Sequence, residues 1–340
     1  MAILRKTFIV VLVFSAAACA ADSSLLNLVM PDARVLVGVN VERILSSQIG
    51  KEISSQIQGR VPELQQILQK TGFDPTKDLQ ELLIAATGKG QNGPALFLVR
   101  GSFDAAKVSA AAASTGRTPQ TYEGVQIMDN PSESKGAFAF LDGTIAVGGD
   151  LDQVKAAIRR QKHHTALNAD LASRAASMSD RYDIWVLSTA PLNEMLPAGS
   201  NPQMKQASDL GKSIQQVSGG VKFSADLELA AELMTHNDQE AAQLRDTLGF
   251  FIGLAAASKQ NPSGIDPKAL KLTADAKTVR ISVLLTGEQL KKAYEAQVAR
   301  MQHAATPVAA VVKPPAKELG LTIQTSERDM GTVIVSPTQP

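Results

Sequence analysis

The stretch Leu270 to Gln297 constrains the fold of this chain most tightly. Its first piece, LKLTAD, alternates apolar and polar residues, which predicts a half-buried strand. After a short turn, Ile281, Val283 and Leu285 share one face of a second, β-branched strand. Thr286 with Gln289 three residues on is a capping-box pattern that opens a helix. Behind it Leu290, Ala293, Tyr294, Val298 and Met301 recur at helical spacing as one apolar stripe. The unit is strand, turn, strand, capped helix. A chain made of such units lays its strands antiparallel and packs its helices against the sheet.

Looser copies of the unit occur upstream. Leu79 to Ala86 and Ala95 to Arg100 are strands joined through Gly88 to Gly93, and Ser102 or Asp104 caps the helix that runs through Ala113. Tyr122 to Met128 reads as another strand. Ala137 to Leu141 and Thr144 to Val147 form a hairpin through Asp142-Gly143. Asp150 with Gln153 caps a helix whose stripe is Leu151, Val154, Ala157 and Ile158. Val221 to Met234 alternates long enough for a hairpin turning near Ala225-Asp226, with one face toward water. Asn237 with Glu240 is a further capping box, and the apolar run Leu248 to Ala257 is half the length of a membrane span, so a buried helix is expected there.

Each series of copies has a βα start. The folded part begins in residues 31–58, where Val35, Val37, Val39 and Val41 share a strand face. From Glu42 one helix carries Ile44, Leu45, Ile49, Ile53 and Ile57, and Pro62 opens a second. Tyr182 to Leu187 restarts the pattern, followed by a short helix from Pro191. A G-Φ-D-P turn occurs twice, at Gly72 to Pro75 and Gly264 to Pro267. The expected fold is α+β: two similar modules of mainly antiparallel sheet with helices packed on one face, βα-ββα-ββα written twice. The modules are residues 22–177 and 178–303, with the boundary in the polar, Ala/Ser-rich stretch 160–181. Residues 304–340 are a Pro/Ala-rich linker and C-terminal tail. There TIQT and TVIV either form two short strands docked on a sheet edge or belong to a disordered tail.

The N-terminus is a targeting segment. Arg5-Lys6, the apolar run Thr7 to Phe14 and the small residues Ser15 to Ala21 make the three parts of a signal peptide, residues 1–21. Two processing readings compete. Ala18-Cys19-Ala20 fits cleavage before Ala21 or Asp22, whereas Ala16-Ala17-Ala18-Cys19 resembles a lipobox that would leave a lipid anchor on Cys19. Ala16 stands where a lipobox usually has Leu, which favours plain cleavage. Cys19 is the one cysteine, so plain cleavage leaves no thiolate nucleophile, disulfide or cysteine metal site. Either reading places the chain outside the cytoplasm, periplasmic or secreted, with no transmembrane span in the mature form.

Composition removes several function classes. Lys plus Arg number 34 against 33 for Asp plus Glu, which lacks the basic footprint of a nucleic-acid binder. With 4% aromatic residues, the core rests on aliphatic side chains and a dense aromatic binding surface is not expected. His163-His164 point about 100° apart on a helix and suit a solvated helix end better than a metal. Ser132-x-x-Lys135 lacks its partner motifs, and the turn GKGQNG lacks the order of a phosphate loop. Asp183, Asp226 and Glu228 fall on strands and read as solvated strand faces, while Asp150 reads as a cap and not as part of a calcium loop. No catalytic, cofactor or metal residue is assigned.

Three phrases carry a resemblance: Pro31-Asp32-Ala33 before a strand, Gly72 to Pro75, and Arg100-Gly101-Ser102-Phe103-Asp104, a strand end opening a helix. With the closing Thr278 to Gln297, the chain resembles, over roughly residues 28–300, a group of uncharacterised secreted bacterial proteins carried as a domain of unknown function. The resemblance implies an envelope location and an α+β fold, and no activity. The expectation is a non-enzymatic extracytoplasmic structural or interaction protein with a protein partner. The alternative is a carrier of an apolar ligand such as a lipid, which requires an apolar space larger than side chains fill. A hydrolase with a dispersed acid/base site ranks third, since it needs titratable groups converging in a pocket.

Overall fold

The computed structural model describes residues 23–57, 68–88, 93–130, 135–163, 165, 167–192, 211–257, 269–290, 321–324 and 334–337. Ala18, Cys19, Ala20, Ala21, the helix from Pro62, Ser132, His164, His303, the tip of the GKGQNG turn and the second G-Φ-D-P turn lie outside the described residues. The chain divides into two compact units, residues 1–294 and 295–340.

The larger unit is α+β. Its strands are β1 (Val35–Asn40), β2 (Leu79–Ala86), β3 (Ala95–Gly101), β4 (Thr118–Tyr122), β5 (Val125–Asp129), β6 (Lys135–Phe140) and β7 (Ile145–Asp150), then β8 (Ile184–Ser188), β9 (Ile214–Phe223), β10 (Leu227–Thr235), β11 (Leu270–Asp275) and β12 (Thr278–Leu285). They make one antiparallel sheet of order β11-β12-β10-β9-β8-β1-β2-β3-β7-β6-β5-β4. Its described helices are α1 (Ser23–Leu26), α2 (Val41–Ser46), α3 (Gln48–Ile57), α4 (Pro75–Asp78), α5 (Ala105–Ser114), α6 (Leu151–His163), α7 (Ala169–Arg181) and α8 (Asp238–Ala257). Residue 177 falls inside α7, and β1 pairs directly with β8, Val37 opposite Val186.

Helices pack on both faces of the sheet, not on one. The reason lies in the alternation itself: both faces of the central strands are apolar. On one face Leu36, Leu83, Leu98 and Val147 are buried beneath Val154, Ala157 and Ile158 of α6, with Leu171 and Ala175 of α7 in the same core. On the other face Ile49 of α3 meets Leu227, Val283 and Leu285, and Ala241 and Leu244 of α8 meet Val279. From β9 onward the first face turns polar: Ser218 of β9 lies opposite Glu232 of β10, which lies opposite Arg280 of β12 and pairs with it at 3.1 Å.

Several local expectations change for identifiable reasons. Residues ahead of 31–58 already belong to the fold: Leu25, Leu28, Val29 and Met30 are fully buried, and the Leu28 carbonyl accepts from Arg160 Nε at 2.9 Å. The strand foreseen at Tyr122 to Met128 is a hairpin of β4 and β5, because Glu123 (φ 48°) and Gly124 (φ 81°) form a turn with both residues left-handed. The single helix from Glu42 is two. Ser47 is extended and its hydroxyl donates to the Ile44 carbonyl while accepting from Gly50 N–H, closing α2 and opening α3. The apolar spacing runs through this break unchanged, so periodicity hides it. α8 buries Ala241 and Leu244, yet Phe250 (68% exposed) and Leu254 face outward.

Asp183 is not on a solvated face. It is 4% exposed, and it accepts from Arg43 Nε at 2.7 Å and from Phe223 N–H at 2.7 Å. Arg43 also donates to the Tyr182 carbonyl at 2.6 Å, so one guanidinium ties α2 to the start of β8. Asp183→Ala is expected to cost about 3 kcal/mol in urea unfolding, since it takes the ion-pair partner from a part-buried cation and the acceptor from a part-buried amide together.

The capping signals fare better. Thr286 and Gln289 exchange reciprocal bonds at 2.9 and 3.3 Å, and Glu240 N–H donates to Asn237 Oδ1 at 2.9 Å. The β9–β10 hairpin turns at Ser224 to Asp226 with Lys222, Glu228 and Glu232 on its polar face. In the second unit, β13 (Leu321–Gln324) and β14 (Ile334–Pro337) pair with each other as a two-stranded sheet of their own.

Candidate functional site

The β3–β7–β6 segment of the sheet is shaped by small residues between large ones. Across the register Gly148 of β7 lies between Phe97 and Phe138, and Ala146 lies between Val99 and Phe140. Directly opposed residues share a face, so the two rows form a trough with a low centre and aromatic sides.

Two turns complete the trough. In the G-Φ-D-P turn, Gly72 takes φ 71° and Asp74 caps α4, its Oδ1 accepting from Thr76 N–H at 3.0 Å. The Thr76 hydroxyl does most to hold the Asp74 carboxyl below the ordinary carboxylate range. At the start of α5, Asp104 Oδ1 accepts from Lys107 N–H at 3.0 Å, and this backbone bond is the main reason its carboxyl is also lowered. Each capping Asp is preceded by a Phe. Phe73 stacks on Phe103 with centroids 5.5 Å apart, and Phe103 meets Phe140 at 5.4 Å. Phe103 and Val108 occupy the N′ and N4 positions of a hydrophobic staple.

The result is an apolar groove of about 450 Å³, lined among others by Phe73, Phe97, Phe103, Val108, Phe138 and Phe140. Five of the ten phenylalanines therefore gather in one place, contrary to the expectation drawn from a low aromatic content. Composition counts rings but does not say where they meet. The signal lies in F-D at positions 73–74 and 103–104, which read as a turn and a helix cap and each carry a ring.

The groove stays open because of what covers it. α5 reads AAKVSAAAAS, so its one long apolar side chain is Val108. On the same sheet face beyond β10, the twenty-residue α8 sends Leu244 and Leu248 onto Val279, Leu272 and Ala274 and fills the space. Methyl groups on α5 cannot do the same, and Phe97 is left 45% exposed.

A second cleft of about 300 Å³ lies on the opposite face between α7 and the sheet. Arg174, Met178 and Arg181 line its helix side, and Gln216, Ser218 and Glu232 its strand side. Arg174 is held by Asp170 at 3.1 Å and by Gln216, and Arg181 lies 5.1 Å from the ring of Tyr182, whose phenol burial pushes up. Among the described residues no three His, Cys, Asp or Glu side chains converge as a metal site would require. His163 is exposed at the end of α6, and His236 Nδ1 lies 2.8 Å from Glu240. Among the described residues no helix is long and apolar enough to cross a membrane.

No protein-family model matches the chain, and no curated protein matches it. Solved structures of TP0453 are similar in overall course. Its crystal form I shares 9% identity at a TM-score of 0.45, covering 80% of this chain and 96% of that one. Crystal form IV shares 10% at 0.46, covering 78% and 94%.

Proposed function

We propose that this protein is a non-enzymatic extracytoplasmic binding protein whose ligand is apolar. The observation that carries the reading is the phenylalanine-walled groove, whose volume lies within the range of small-molecule sites. The Arg5-Lys6 pair and the apolar run behind it support the envelope location, as does the resemblance to secreted proteins of unknown function.

The groove suits a single aliphatic chain. Each methylene moved from water into such a site contributes about 0.8 kcal/mol, and a chain of ordinary fatty-acid length binds an apolar phase with an affinity on the order of 10–100 μM. Titration with the neutral fluorophore N-phenyl-1-naphthylamine is therefore expected to give one site in that range. Gly148 supplies the matching control. A Cβ added there meets only ordinary contacts, at 3.7 Å to the Ala137 carbonyl and 3.8 Å to Phe138 Cβ. Gly148→Leu should keep the fold, fill the trough and weaken the probe at least about tenfold. An unchanged titration in that variant would remove the groove from consideration.

A partner protein is the second reading, supported by the outward ridge of α8. Phe250 and Leu254 are exposed beside Gly249 and Gly253, and a Cβ on Gly253 would meet nothing within 4 Å. Phe250→Ser would then abolish any self-association seen by native mass spectrometry while leaving probe binding intact.

We read the sheet, further, as a duplicated module. From the β1–β8 seam the order β1-β2-β3-β7-β6 runs one way and β8-β9-β10-β12-β11 the other, with β4 and β5 as an added hairpin. A crystal structure in which residues 35–163 and 184–290 fail to superpose strand for strand would end this reading.

A further inference from the structure

We infer that the groove selects an anionic amphiphile, a single alkyl chain ending in a carboxylate or comparable anion, with Arg117 holding the head. The inference rests on the groove being a ligand site and adds the chemistry of what enters it.

Charged side chains lie against residues of the wall and its turns. The Arg117 guanidinium lies over the ring of Phe138, 5.5 Å from its centroid, and donates to the Gly136 carbonyl. Lys107 follows Phe103 at the start of α5, with its aliphatic stem beside Gly72. Its ammonium is 3.1 Å from Asp104, so that cation is already offset. Among the described residues Arg117 has no ion pair, and it is half-buried.

The carbonyl bond and the ring contact fix the plane of the guanidinium without neutralising it. Phe138 belongs to the groove wall, so the charge sits one ring's width from the apolar trough. A chain lying along Gly148 and Ala146 would bring its terminal group to the fork at that end. An anion there gains a charge-assisted contact, a neutral head gains none, and a cationic head is repelled. The trough holds one chain, which points to a monomeric amphiphile as the occupant.

The test is displacement of N-phenyl-1-naphthylamine from the full-length mature chain by three twelve-carbon competitors below their micelle concentrations: dodecanoate, dodecanol and dodecyltrimethylammonium. Dodecanoate is expected to compete about tenfold better than dodecanol, and dodecyltrimethylammonium worse than both. Arg117→Gln should erase the preference for dodecanoate and leave dodecanol unchanged. Arg117→Lys, which keeps the charge, should restore most of it, which separates head-group binding from a mere loss of the Gly136 contact. Equal competition by all three, or an unaltered dodecanoate preference in Arg117→Gln, overturns the inference while the groove still binds the probe. Failure of the probe to bind the wild-type chain overturns both.

Discussion

A chain that starts at Pro31 is expected not to fold, whereas one that starts at Ala21 folds cooperatively. The residues between them precede the stretch 31–58 in which the sequence pattern starts the folded part. In the structure they are core. Leu25, Leu28, Val29 and Met30 are each no more than 2% exposed and join the cluster of Leu36, Leu83, Leu98 and Ile158. Losing a single buried Leu or Met side chain costs about 2–5 kcal/mol, and whole domains are stable by only about 5–15 kcal/mol. Removing four such side chains together exceeds what a domain can lose. The deletion also strips Arg160 of the Leu28 carbonyl, and among the described residues Arg160 Nη2 already has no hydrogen-bond partner. Circular dichroism and urea unfolding of the two chains decide the matter. A cooperative transition in the shorter one, at the same midpoint, would show that these residues are dispensable. The point mutant Leu28→Ala gives a graded version, with an expected loss of about 3 kcal/mol.

Gly38→Ala is the substitution with the next largest expected effect, though it adds one methyl group. Gly38 lies directly opposite Trp185 in the β1–β8 pair, at the seam of the sheet. A Cβ there would stand 2.2 Å from Trp185 Cε2 and 2.3 Å from Nε1. The indole is buried and cannot swing to solvent. Overpacking of a tight core costs about 1–3 kcal/mol even where neighbours give a little. Here the ring must leave its position altogether, so a loss above about 3 kcal/mol is expected. Trp185→Leu in the same chain should recover part of it, because the two sites share one volume and do not behave additively. If Gly38→Ala unfolds at the wild-type midpoint, the glycine is not required for the approach of the ring.

These expectations concern places where sequence pattern and structure part company. The hairpin of β9 and β10 and the reciprocal bonds of Thr286 with Gln289 were legible because each is set by a few adjacent residues. Asp74 and Asp104 were legible as turn and cap residues for the same reason. The Glu123-Gly124 turn was missed because its left-handed first residue is not one of the usual Asn, Asp or Gly. Asp183 was read as solvated because alternation shows that a side chain leaves the backbone on one side but not what covers that side.

The candidate groove was the least legible feature. Its rings come from five separate positions between residues 73 and 140, and each alone is an ordinary Phe in a turn or strand. What assembles them is the pairing of β7 between β3 and β6, which sets Gly148 and Ala146 between aromatic neighbours. By itself the sequence determined the local grammar of this protein: strands by alternation and helix starts by capping side chains. Those signals act over a few residues, where backbone sterics and hydrogen bonding suffice. Tertiary structure alone decided that the strands of residues 35–285 make one sheet, that helices cover both of its faces, and that alanine-rich α5 leaves a gap where leucine-bearing α8 does not. Those outcomes depend on contacts between residues far apart in the chain, whose energies are set by shape and burial and leave no periodic mark in the sequence.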